Sequence, residues 1–88
     1  MKANLISEQD FEIIENRLRQ KAVGQFIKGY RINSGITQQQ LSEQSNLSRN
    51  TIINAENGKN LTLISLFELA DALDISPKEL FLDIEWSG

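Results

Sequence analysis

The chain contains no cysteine and no histidine. The first absence removes disulfides, a thiolate nucleophile and zinc–thiolate sites. The second removes the commonest general base and the commonest metal ligand near neutral pH. A carboxylate-only enzyme would need a deep pocket, and 88 residues leave little chain for both a pocket and a core. The expectation is therefore a binding protein rather than an enzyme, with no metal and no cofactor. Glycine and proline are scarce, at five and one, and no linker, repeat or strand-like alternation interrupts the chain. No apolar run approaches the roughly 20 residues of a membrane-spanning helix. The N-terminal residues lack the apolar stretch of a signal peptide. These features predict a cytoplasmic protein that makes no membrane contact.

What is present is charge, unevenly placed. The formal net charge is -3, which taken whole argues against nucleic acid. Taken in segments it does not. Residues 1–16 carry -3 and residues 60–88 carry -5, while residues 17–59 carry +5, with seven Lys and Arg against Glu43 and Glu56. A basic middle between acidic ends can supply a local positive face. A solvated surface whose signs happen to segregate fits the same numbers.

The punctuation is helical throughout. Ser7 starts a first helix, with Phe11, Ile14 and Leu18 on one apolar stripe. A break or bend is expected near Ala22-Val23-Gly24, followed by a second helix to Asn33 that Ser34-Gly35 ends. Thr37, with Gln40 three residues on, caps a short helix whose main inward residue is Leu41. Asn46 suits a left-handed turn residue. Ser48 caps a helix that Gly58 stops, and Thr62 caps another from Leu63 to about Leu73, with Leu63, Leu66, Leu69, Ala70 and Leu73 inward. Ser76-Pro77-Lys78-Glu79 opens a last helix carrying Leu80, Phe81 and Ile84. The fold class is all-α.

The stretch from Thr37 to Gly58 reads as helix, tight turn, helix. Leu41, Leu47, Ile52 and Ala55 pack the two helices together and leave Arg49, Asn50, Ile53, Asn54 and Asn57 outside. An outer helix face is usually built of Glu and Lys. This one holds an Arg, three amides and an Ile. Arg can donate two hydrogen bonds to guanine, Asn can pair bidentately with adenine, and a small apolar group can meet the thymine methyl. Amides that merely decorate a solvent face are the alternative, and the β-branched Ile53 weighs against it.

At these residues the sequence resembles the XRE (Cro-type) helix-turn-helix family. The matching stretches are Val23 to Lys28, Gly35 to Ser42, Leu47 to Ile52, Glu56 to Lys59 and Leu66 to Ser76. The resemblance implies a five-helix, lambda-repressor-like DNA-binding domain at residues 21–84. Residues 1–20 would add an extra N-terminal helix, and residues 85–88 a tail. It also implies a transcriptional regulator that binds double-stranded DNA as a homodimer on a palindromic operator. Ser48, Arg49, Asn50 and Asn54 match the family's base-reading positions. Gln38, beside Thr37 at a helix N-terminus suited to phosphate, matches a phosphate anchor. Thr51, Asn57 and Lys59 match backbone-contacting neighbours. Arg31 and Glu56 match a structural ion pair, with a phosphate contact as a second role for Arg31. The short loop from Gly58 to Leu63 and the segment from Ser76 to Phe81 are similar to restriction–modification controller proteins.

Ile64 and Phe67 fall off the main inward set of their helix and are either core rim or, with Phe81, Ile84 and Trp86, a dimer seam. An antitoxin or adaptor is the alternative function. In that case Phe11, Ile14, Leu18, Ile64 and Phe67 bind another protein, such as a toxin.

Overall fold

The computed structural model of the protein describes residues 7–82 and residue 84. Among them are four α-helices and a closing 3-10 turn: α1 (Glu8–Asn33), α2 (Gln38–Gln44), α3 (Arg49–Glu56), α4 (Leu63–Leu73) and the turn Pro77–Phe81. The all-α class holds. The five-helix domain preceded by a separate extra helix does not, because those two helices are one and the last element is 3-10.

The helix starts follow local chemistry. Ser7, Thr37, Ser48 and Thr62 each accept a hydrogen bond from the backbone N–H three residues on, at 3.0–3.1 Å. Thr37 also donates its own N–H to Gln40 Oε1 at 2.8 Å, completing the reciprocal cap. At the last element Ser76 N–H donates to Glu79 Oε2 at 3.1 Å. Asn46, expected to be left-handed, is not; among the described residues the non-glycine ones with positive φ are Asn60 and Asp74. Ser45 instead takes an extended conformation, and Ser42 Oγ donates to Leu47 O at 2.7 Å, so a side chain rather than a left-handed residue holds the turn.

No break occurs at Ala22-Val23-Gly24, and α1 runs 26 residues without interruption. A glycine inside a helix costs only about 1 kcal/mol against alanine, so it does not by itself end one. Gly24 is retained for what lies against it. A Cβ built there would stand 2.6 Å from Ala55 O, 2.7 Å from Glu56 O and 2.7 Å from Gly58 N. The backbone of α1 therefore lies directly on the end of α3, and Ala55, 1% exposed, is small enough to permit it.

The core is a single cluster. Ile27, Leu41, Ile52, Leu69 and Leu80 are fully buried, one from each element. Burial of such a side chain contributes about 1.5–3 kcal/mol. Val23, Ala55, Leu66 and Leu73 complete the cluster. Leu63, expected inward, is 68% exposed; it opens α4, ahead of the first turn that reaches the core. Phe26 and Tyr30 pack partly against the cluster. Phe11, Ile14 and Leu18 lie farther towards the N-terminus of the same helix as Phe26 and are exposed. That helix gives the molecule its elongated shape, 53 × 24 × 21 Å.

Candidate nucleic-acid interface

The second helix of the motif is fixed at both ends. At its start Ser48 caps Thr51, and the two hydroxyls lie 2.9 Å apart. The Ser48 oxygen is thus already engaged within the fold. At its end Gly58 takes φ +73°, Gly58 N–H donates to Ala55 O at 2.9 Å, and Lys59 N–H donates to Asn54 O at 2.8 Å. This is a glycine-terminated cap, and the left-handed residue it requires has no room for a side chain. A Cβ on Gly58 would also meet Lys21 Cα at 2.7 Å.

Ile52, Ala55 and Glu56 are the buried residues of α3. At about 100° per residue, Asn50, Asn54 and Asn57 fall on the opposite side. Asn50 and Asn57 are exposed, and Asn54 is half-buried. Arg49 and Ile53 flank this row on one side and Thr51 on the other. Arg49 is exposed, while Ile53 and Thr51 are half-buried. The outward surface of α3 is therefore a row of three amides with a guanidinium and an aliphatic group at its edge. The Lys59 side chain is exposed just past the helix end.

Beneath this surface one carboxylate joins three elements. Arg31 Nε donates to Glu56 Oε2 at 2.6 Å and Arg31 Nη2 to Glu56 Oε1 at 3.2 Å. Gln38 Nε2 donates to the same Oε1 at 3.1 Å, and Arg31 Nη1 donates to Ile36 O at 2.9 Å. Glu56 is 6% exposed, so the fork of Arg31 satisfies a charge that has little access to water. The ion pair ties α1 to α3. Gln38 and Ile36 tie the start of α2 to the same point. The Gln38 amide is consequently turned inward, towards Glu56.

Beside the ion pair lies an open cleft of about 730 Å³, lined by Lys28, Arg31, Gly35, Ile36, Thr37, Gln38, Gln39 and Arg49. Its cations come from α1 and α3, and the N-terminus of α2 borders it. Lys28 was not singled out from sequence. It lies 21 positions before Arg49 in the chain, and only the crossing of α1 with α3 makes them neighbours. The signal that could have found it is its position on α1 three residues before Arg31, on the same side of the helix.

The described residues considered for a dimer seam lie on α4 and at Phe81 and Ile84. Ile64 and Phe67 are exposed on α4. Phe81 and Ile84 line an apolar cleft with Val23, Leu61 and Leu66, beside Arg19 and Gln20 at the base of the α1 extension. Trp86 and the tail at residues 85–88 lie outside the described residues. Among the described residues no group of acidic side chains is arranged to hold a metal ion, and no helix is long and apolar enough to cross a membrane.

Comparison with known proteins places this architecture. The helix-turn-helix family profile matches residues 27–80. The crystal structure of the restriction–modification controller protein C.AhdI from Aeromonas hydrophila is similar over 70% of this chain and 96% of its own. The identity is 36% and the TM-score 0.68. No curated protein matches the chain.

Proposed function

The chain belongs to the helix-turn-helix family of the XRE type, and from that premise we propose that it is a DNA-binding transcriptional regulator. In this reading α3 enters the major groove of a palindromic operator, and two copies of the chain read the two half-sites. The outward row of Asn50, Asn54 and Asn57 on α3, flanked by Arg49 and Ile53, carries the reading. Ile52, Ala55 and Glu56 are buried and both ends of the helix are capped, so the backbone that carries the amides is already placed before DNA binds.

Roles follow from chemistry and place. Arg49, Asn50, Ile53 and Asn54 read bases. Ser48 reads as a hydroxyl already shared with the helix cap. Thr37, Gln38, Thr51, Asn57 and Lys59 contact the phosphate backbone, joined by Lys28 across the basic cleft. Gln38 reaches phosphate through its backbone N–H, since its side chain serves Glu56. Arg31 and Glu56 hold the frame. Ile64, Phe67, Phe81 and Ile84 form the seam between copies. With that seam, half-sites lie about 34 Å apart, one helical turn of DNA.

Selection of bound sites from random duplex DNA tests the whole reading. The expected product is an inverted repeat with that spacing; a single unpaired site, or no enrichment, rejects it. On the selected site, Arg49→Ala is expected to weaken binding by about 1–3 kcal/mol and to relax preference at one base pair. Unchanged discrimination with uniformly weaker binding would reassign Arg49 to phosphate. Lys59→Ala is expected to weaken binding to all sequences alike and to lower the salt slope by about 1. The exposed apolar residues of α1 and α4 also favour a protein partner such as a toxin, and an adaptor of that kind would show no salt-steep DNA binding.

A further inference from the structure

The first three turns of α1 project beyond the core, and among the described residues nothing covers their apolar stripe. Phe11, Ile14 and Leu18 are 55%, 45% and 63% exposed. Val23 and Ile27 mark the side of α1 that enters the core. At about 100° per residue, the stripe lies on the far side of the same helix, away from the core. Among the described residues it is apolar surface presented to solvent, and Ile13, also exposed on this arm, lies off the stripe.

Charge along this arm is divided end from end. Four acids lie between residues 8 and 15 and three bases between residues 17 and 21. A second arm laid alongside in the same direction would set acid against acid and base against base. One laid in the opposite direction sets the acidic half of each against the basic half of the other. Asp10 and Arg17 are seven residues apart and share one flank of the stripe, so reversal about the point between Ile13 and Ile14 brings Asp10 of one chain opposite Arg17 of its partner, twice, with the two Ile14 residues one position out of register. On the other flank Glu15 is held by Arg19 Nη2 at 3.1 Å, which neutralises the acid that would otherwise face its own copy.

We propose that residues 8–20 of α1 pair antiparallel with the same segment of a second copy of this chain, with Phe11, Ile14 and Leu18 as the seam and Asp10–Arg17 as the flanking ion pairs. A three-turn arm buries far less than the about 1,200–2,000 Å² of a stable interface. The pairing is therefore weak alone, and a covalent trap rather than a stable dimer reports it. It is separate from the α4 seam and does not depend on DNA.

The chain has no cysteine, so single cysteines report cleanly. Under mild oxidation of the full chain, Ile14→Cys is expected to form chain-to-chain disulfides. A mixture of Asp10→Cys and Arg17→Cys chains should cross-link at least fivefold more than either variant alone. Asp10→Lys should suppress the Ile14→Cys cross-link, and adding Arg17→Glu should restore it. Failure of Ile14→Cys to cross-link, or self-linking of Asp10→Cys and Arg17→Cys as strong as that of the mixture, overturns the proposal. An unchanged helical circular dichroism signal in each variant excludes unfolding as the cause. DNA is absent from the assay, so its outcome is independent of the regulator reading.

Discussion

Replacing Gly24 with alanine is expected to be among the most destabilising single changes in this protein, even though alanine is the better helix former. Intrinsic propensity alone would favour the alanine by about 1 kcal/mol. Against that, the new Cβ would lie 2.6–2.7 Å from three backbone atoms at the end of α3. Backbone atoms cannot rotate away as a flexible side chain can, so α1 and α3 must separate. Overpacking of side chains typically costs about 1–3 kcal/mol. A clash against backbone on this scale should reach or exceed the upper end, about 3 kcal/mol. In a domain of this size that lowers the melting temperature by roughly 12–24 °C. Gly29 supplies the control on the same helix, since a Cβ there meets nothing within 4 Å. Gly29→Ala should stabilise by about 0.5–1 kcal/mol. Thermal melts of the two variants should move in opposite directions, and a Gly24→Ala melt at or above that of the parent would refute the close helix contact.

Arg31→Ala is expected to have a comparable effect by a different route. It leaves the carboxylate of Glu56 buried, with Gln38 as its remaining side-chain partner. Removing one member of a buried ion pair costs about 3–5 kcal/mol, while replacing both by apolar groups of similar volume is often neutral or better. Arg31→Met with Glu56→Leu should therefore recover most of the stability that Arg31→Ala loses. Denaturant titration of the two variants measures the difference. A double variant no more stable than Arg31→Ala would show that the loss comes from packing of the Arg31 side chain and its bond to Ile36 O, not from the stranded charge. Operator binding should fall with Arg31→Ala as well, because the same pair fixes how α3 and the start of α2 stand relative to each other.

Both effects centre on residues whose importance differs in how far it could be read from the chain. Arg31 and Glu56 were paired by resemblance to a family. In sequence Gly24 signals a helix break, because glycine within a helical pattern has two local meanings and the third, a close approach by a distant backbone, has no local signature. The same distinction explains the rest. Thr37, Ser48, Thr62, Gly35 and Gly58 were legible because a cap is decided within four residues. Leu63 was assigned inward by spacing and lies outside, because spacing defines a face but not where along a helix the core begins. Lys28 carries no local signal of its place in the cleft, because its neighbour Arg49 is distant in the chain.

From the amino-acid order alone came the helical class, most helix ends and the unusual amide-rich surface between Ser48 and Gly58. These depend on hydrogen bonds and side-chain periods that span a few residues. Only the tertiary structure decided that α1 is continuous, that its first turns stand clear of the core with Phe11, Ile14 and Leu18 exposed, and that Lys28 shares a cleft with Arg49. Each of those results from where two helices cross, and a crossing is set by the shape of both surfaces together, which neither segment carries by itself.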